Sequence, residues 1–327
     1  MRRRDFIAGL SCAAWPLAAR PQQPNRMRRV GVLLGGAEDD PLYQSDITLL
    51  RDSLQSLGWT EGRNLRIDVR FGSNDSNRVR VYAEELVGLA PDVIVTSGAA
   101  QTRALQQRTQ TIAIVFVQVG DPVASSVVKS IARPEGNTTG VTNLFLSIAG
   151  KWLELLKEAA PHVARVALIF NPELPVAEFY VASIEAAATT IAVKVIRTPV
   201  RNATEIERTI DAFAAEPNGG LIVVPPPLDS AYRQLIYRLA VQHRLPVIAS
   251  DGFYPAEGGL ISYGPNRDEL FRMAASYVDR ILRGAKPGDL PVQFPTRFEL
   301  VVNLKAAKAI GLTIPETFLV RADVVIE

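Results

Sequence analysis

Short β-branched runs alternate with helical patterns along most of the chain, and the alternation happens twice. Residues 29–34 (RVGVLL), 65–69 (LRIDV), 92–96 (DVIVT) and 112–117 (IAIVFV) form a first set, with helical patterns over 43–57, 77–89 and 99–108 between them. In 43–57, Ile47, Leu50, Leu54 and Leu57 recur at intervals of three and four, which is one face of a helix. The rhythm restarts with 165–170 (RVALIF), 192–196 (AVKVI), 220–224 (GLIVV) and 246–249 (PVIA), separated by helical stretches 176–190, 205–215 and 232–243. Runs that are apolar on both sides suit strands covered by helices on both faces of a parallel sheet. Alternating strand and helix gives an α/β fold, and strand starts about 20 to 40 residues apart fit right-handed βαβ crossovers. The expectation is two similar doubly wound lobes.

Past residue 249 the pattern changes. Residues 259–263 (GLISY) read as a short strand, and 267–282 as a helix stopped by Gly284 and Lys286-Pro287. Residues 292–303 read as an extended strand carrying Pro295, and 304–310 as a short helix closed by Gly311. No low-complexity stretch or flexible linker intervenes, so ordered crossing segments are expected to join the lobes. The expected division is residues 27–143 with 266–294 in one lobe, and 144–265 with 300–327 in the other.

Residues 1–24 read as an address. A basic run, a short apolar run and a small-residue stretch follow in the order of a secretory signal. Arg3-Arg4-Asp5-Phe6-Ile7 fits the twin-Arg pattern, a receptor-read signal rather than an anchor. The 14 apolar-rich residues from Phe6 to Ala19 are shorter than the roughly 20 that span a bilayer. Cys12, the single cysteine, reads as a bystander thiol rather than a lipidation site, because the apolar run continues past it. Four arginines against Asp5 give the leader +3, so the rest of a chain of formal charge +2 carries −1. Nucleic-acid binding would need a basic stripe in that body, and none is seen.

Catalytic motifs are missing. Gly31 and Gly35-Gly36 lack the G-x-G-x-x-G spacing, no G-x-x-x-x-G-K-[ST] loop occurs, and Ser97-Gly98 lacks the frame of a nucleophile elbow. His162 and His243 lie at helix ends, where structural roles suffice, and Glu84-Glu85 reads as a solvated face. One cysteine and two histidines leave no thiolate-rich or His-rich metal site. Neither a metal nor any other cofactor is expected.

Binding chemistry is sought where open α/β sheets hold ligands, outside the carboxyl ends of the strands. Gly35-Gly36-Ala37 follow the first strand, with Glu38-Asp39-Asp40 a polar loop beyond. Ser97, Gly98 and Ala99 follow the third. Small residues at a helix N-terminus there suit a ligand carboxylate, and a plain N-cap by Ser97 is the equal alternative. Gly120 and Asp121 follow the fourth; Asp121 either caps the next turn, ahead of Pro122, or accepts a ligand ammonium. In the second half Asn171, Pro225 and Asp251 take the matching places, and Asn143 lies where the halves meet. Tyr254 and Tyr263 either stack on a flat ligand or pack beside a crossover.

Several segments resemble the ABC-transporter substrate-binding proteins of the branch that includes binders of tryptophan and other aromatic amino acids. These are the leader, Leu57-Gly58-Trp59-Thr60-Glu61-Gly62-Arg63-Asn64, residues 115–140, 151–161 (KWLELLKEAAP), Gly264-Pro265-Asn266 and residues 277–303. The resemblance runs over nearly the whole chain. Glu135 departs from it, standing where the family usually has glycine, as does Pro21 at the leader's end. Residues 251–259 form a shorter segment than in many relatives.

The resemblance implies a type I periplasmic-binding-protein-like fold of two lobes joined by three crossings, near 142–145, 261–265 and 295–302. It further implies a periplasmic, monomeric, non-enzymatic protein. Such a protein traps a small amino-acid-like or aromatic ligand by hinge closure and presents it to an inner-membrane ABC permease. In that reading the helix start at 97–100 takes the carboxylate, Asp121 or Asp251 the ammonium, and Tyr254 or Tyr263 the apolar part. Two rivals remain: a sensory module of the same fold acting on a receptor, and a secreted α/β hydrolase. The leader leaves no room for a DNA-reading helix-turn-helix ahead of Arg29.

Overall fold

A computed structural model describes residues 26–73, 75–143, 148–173, 175–224, 230–250, 255 and 258–327. The leader, Pro225, Asp251 and Tyr254 lie outside the described residues. The elements run β1 (Arg28–Leu34), α1 (Pro41–Ser56), β2 (Leu65–Phe71), α2 (Ser76–Gly88), β3 (Val93–Ser97), α3 (Ala99–Gln106), β4 (Ala113–Val119) and β5 (Thr138–Thr142). The second series runs α4 (Ala149–Ala159), β6 (Arg165–Phe170), α5 (Pro175–Ile191), β7 (Lys194–Pro199), α6 (Ala203–Ala214), β8 (Gly219–Val223), α7 (Ser230–Gln242) and β9 (Val247–Ala249). Then come β10 (Ile261–Pro265), α8 (Arg267–Leu282), β11 (Phe298–Asn303), α9 (Leu304–Ala309), α10 (Glu316–Leu319) and β12 (Val324–Ile326).

Two sheets result, as the doubled alternation requires. The first has the order β2-β1-β3-β4-β5, all parallel. The second has the order β12-β11-β10-β9-β8-β6-β7, parallel except for the antiparallel pair β10–β11. Every residue of β3, β6 and β8 is buried, which is why those strands read as unbroken apolar runs. Helix α8 returns to the first lobe, where Leu270, Phe271, Ala274 and Val278 share one core with Val30, Val32, Val93 and Val95. Helix α4 belongs to the second core, with Trp152 and Leu156 packed among β6 and β8 residues.

The chain therefore passes between the sheets three times, and the crossings support one another. Thr142 donates its N–H to the Gln293 carbonyl at 2.9 Å, and the Gln293 N–H returns to Gly140 at 3.0 Å. Strand β10, just before the second crossing, and β11, just after the third, pair over five residues. Trp152 Nε1 donates to the Tyr263 carbonyl at 2.6 Å, tying α4 to β10. Gly264 is required there, because a methyl group on it would lie 1.6 Å from the Ser250 carbonyl oxygen.

Some elements differ from the sequence reading. β5 (TTGVT) is fully buried although it contains one aliphatic residue. β7 starts two residues late, because Ala192 takes φ +55° in leaving α5. β11 starts after Pro295 rather than spanning it. Helices α4 and α10 and strand β12 were not expected as elements.

Candidate functional site

In a sheet ordered 2-1-3-4-5 the crevice for a ligand opens between β1 and β3, where successive strands depart in opposite directions. Four small residues meet there. The Gly35 N–H donates to Ser97 Oγ at 3.3 Å, in a buried bond that ties the two strand ends together. Ser97 is thus not the helix cap. Gly98 is the N-cap of α3, with φ +83° and no side chain to satisfy the first turn. The open start of α3, with Ala99 at its first position, faces the end of β1.

Two side chains stand over these glycines. A methyl group on Gly36 would fall 1.8 Å from Tyr43 Cε2, so the tyrosine ring lies directly on that backbone. A methyl group on Gly35 would fall 2.6 Å from Gln101 Nε2, and one on Gly98 3.0 Å from Gln101 Oε1. The Gln101 amide therefore bridges the two strand ends. Tyr43 is itself held from below. Asp46 is fully buried and forms a two-pronged ion pair with Arg267, whose guanidinium lies 6.0 Å from the Tyr43 ring centroid. Burial pushes the Tyr43 hydroxyl above the usual phenol range; Arg267, and Arg233 from α7, pull against it, while Asp46 and Asp40 add to it. A neutral phenol results, set among charges from both lobes.

The remaining expected residues take these places. The Ala37 carbonyl accepts the Asp40 N–H at 3.4 Å. Asp40 caps α1, accepting the Leu42 N–H at 3.0 Å. Asp121 Oδ1 accepts the N–H groups of Val123 and Ala124 at 3.0 and 2.9 Å, so one carboxylate oxygen is spent on the local turn. The Gly120 carbonyl accepts from Thr142 Oγ1 at 3.1 Å. Asn143 Oδ1 is buried without a hydrogen-bond partner beside the first crossing. Asn171 Oδ1 accepts the Glu173 N–H at 2.9 Å. The Tyr263 ring sits against the second core, 6.0 Å from Phe298 at 33°. Before Gly120, Gln118 takes φ +60° where β4 shifts register against β5, a local bulge in the strand.

Sequence reasoning missed Tyr43, Gln101, Arg267 and Asp46. A signal for Gln101 was present: it is the third residue of α3, where a glutamine reaches back over the N-cap. None was present for Arg267 and Asp46, which are 221 residues apart. Among the described residues no group of three or more His, Cys, Asp or Glu side chains stands together to hold a metal, and no helix is long and apolar enough to cross a membrane.

The family model for ABC transporter substrate binding proteins matches residues 38–326. The chain belongs to that family. Its members bind small molecules for ABC transporters and catalyse nothing. A tyrosine-binding protein of Clostridioides difficile (strain R20291) is 26% identical over 266 residues, which cover 80% of this chain and 74% of that one. A conserved domain protein of Vibrio cholerae superposes with TM-score 0.80 at 28% identity, covering 92% of this chain and 100% of its own. The ABC domain of a Streptococcus pneumoniae protein, solved with L-Trp, superposes with TM-score 0.80 at 24% identity, covering 91% and 99%.

Several residues that carried the resemblance are framework in this binding protein. Trp59 Nε1 donates to Asp279 at 2.8 Å, pinning the 57–64 turn to α8, and Asn64 closes that turn on Thr60 and Gly58. Tyr277 donates its hydroxyl to the Pro291 carbonyl. Glu135 has φ +61°, a backbone conformation that glycine adopts without strain.

Proposed function

We propose that this binding protein is an exported, periplasmic receptor that traps an aromatic amino acid between its lobes and delivers it to an ABC permease as a monomer. The leader's twin-Arg pattern supports export. The relatives named for tyrosine and solved with tryptophan support the ligand class. The observation that carries the reading is the crevice between β1 and β3, where the start of α3, with no side-chain cap, faces the glycine-lined end of β1. An α-carboxylate is favoured there by N–H groups and by the helix dipole. Asp121 or Asp251 takes the ammonium, and Tyr254 or Tyr263 covers the ring.

Hinge closure follows from a ligand that touches both lobes, since a ligand shifts an equilibrium only by its different affinity for the two states. The paired crossings allow the lobes to turn without parting. The test is a thermal-shift screen of the mature protein against amino acids, aromatic acids, nucleosides and sugars. A stabilising aromatic amino acid raises the melting temperature with its concentration. A response confined to sugars or nucleosides would overturn the ligand class. Intact amino-acid affinity in both Asp121→Ala and Asp251→Ala, by calorimetry, would overturn the ammonium assignment.

A further inference from the structure

The third residue of a helix is ordinarily where a glutamine closes the helix start by accepting the N-cap N–H. In α3 that bond is pre-empted, because the Gly98 N–H already donates to the Val117 carbonyl at 2.9 Å. Gln101 is only partly buried, and its side-chain amide takes no hydrogen-bond partner among the described residues. Its nitrogen lies over Gly35 and its oxygen over Gly98, where an added methyl group would come within 2.6 and 3.0 Å of them. An accessible, unpaired amide at the reversal point of the sheet has both its donor and its acceptor left for something else.

Resting on the reading of the cleft as an amino-acid site, we infer that Gln101 is the specificity-determining contact for the ligand's head group. Turned about its terminal bond, the amide donates through Nε2 to the α-carboxylate beside the start of α3 and accepts through Oε1 from the neighbouring α-ammonium on the Gly35 side. A neutral amide suits a zwitterion, since it serves both charges and repels neither. Gly35 and Gly98 are positioning residues: they act by leaving the space in which the amide lies.

The experiment measures calorimetric affinities of the mature protein and of Gln101→Met, Gln101→Glu and Gly35→Ala for four probes. These are L-tyrosine, L-tryptophan, tyramine, which lacks the carboxylate, and 3-(4-hydroxyphenyl)propionate, which lacks the ammonium. Methionine keeps the length of the side chain and removes its hydrogen bonds. The expected result is a loss of about tenfold or more for both amino acids in Gln101→Met, with less change for the truncated probes. Gln101→Glu loses more affinity for 3-(4-hydroxyphenyl)propionate than for tyramine, because a carboxylate repels a carboxylate. Gly35→Ala mimics Gln101→Met, and adding it to Gln101→Ala costs nothing further. Melting curves without ligand separate these effects from damage to the fold. Wild-type affinity for the amino acids in Gln101→Met overturns the assignment of Gln101 and leaves the function standing. A wild-type protein that binds no amino acid overturns both.

Discussion

The two lobes reverse their strand order at matching places, β1/β3 and β6/β8, but the chain supplies opposite backbone chemistry there. Gly35, Gly36, Ser97 and Gly98 stand at the ends of the first pair of strands, and the last two lead into the first turn of α3, which has no side-chain cap. Asn171-Pro172 follow β6 in the second pair, and Pro172 has no N–H. Asn171 turns inward on its own loop, whereas Gln101 is left open. The first wall thus holds an open helix start, and the second a loop whose Asn171 is spent on its own turn. That asymmetry fits a ligand with a charged head and an apolar body.

The strongest way to break the comparison is to remove what holds the first wall. Asp46→Ala strands Arg267 without its buried partner, and loss of one member of such a pair costs about 3–5 kcal/mol. The expected outcome is a clear fall in the denaturation midpoint, together with weaker ligand binding through loss of Tyr43 support. Gly36→Ala comes next. Its methyl would occupy the Tyr43 ring, with an overpacking cost of about 1–3 kcal/mol. Gly120→Ala meets nothing within 4 Å and serves as the silent control in the same denaturant series.

The lobes also differ in how acid reaches them. The Arg29 guanidinium, hydrogen-bonded to Asp68 between β1 and β2, holds that carboxyl below the usual range. The stability it contributes is present above the unfolded carboxylate pKa of about 4 and is lost as pH falls through the lower folded value. Glu185 in the second lobe is lowered likewise by Arg197, but that pair is exposed and screened. Asp68→Asn should therefore flatten the acid limb of stability against pH more than Glu185→Gln does. Equal slopes would erase the distinction. The smallest effect is expected from Pro172→Ala, which adds an N–H to the second wall. Amino-acid affinity should stay within about threefold of wild type, the scale of an ordinary surface change; a larger gain would place the carboxylate in the wrong lobe.

The strands of both sheets were legible because a run such as VIVT (93–96), buried on both faces, has to be apolar throughout. β5 escaped notice because TTGVT is buried by its neighbours rather than by its own hydrophobicity. Thr139 Oγ1 donates to the Leu290 carbonyl at 2.7 Å, and Gly140 lets Phe116 approach. The site was half legible for a related reason. Gly35, Gly36 and Gly98 stand out in sequence as small residues at strand ends, but what lies on them does not. Tyr43 is an ordinary member of an amphipathic helix until the fold lays its ring on Gly36.

Local composition, acting over a few residues, was enough to determine two α/β lobes, because periodicity is a property of neighbouring residues. Only the tertiary structure decided that Asp46 meets Arg267, that Val117 takes the bond Gln101 would have made, and that Trp59 belongs to the framework. Each of these depends on which distant segments share a space, and the packing of the whole chain settles that.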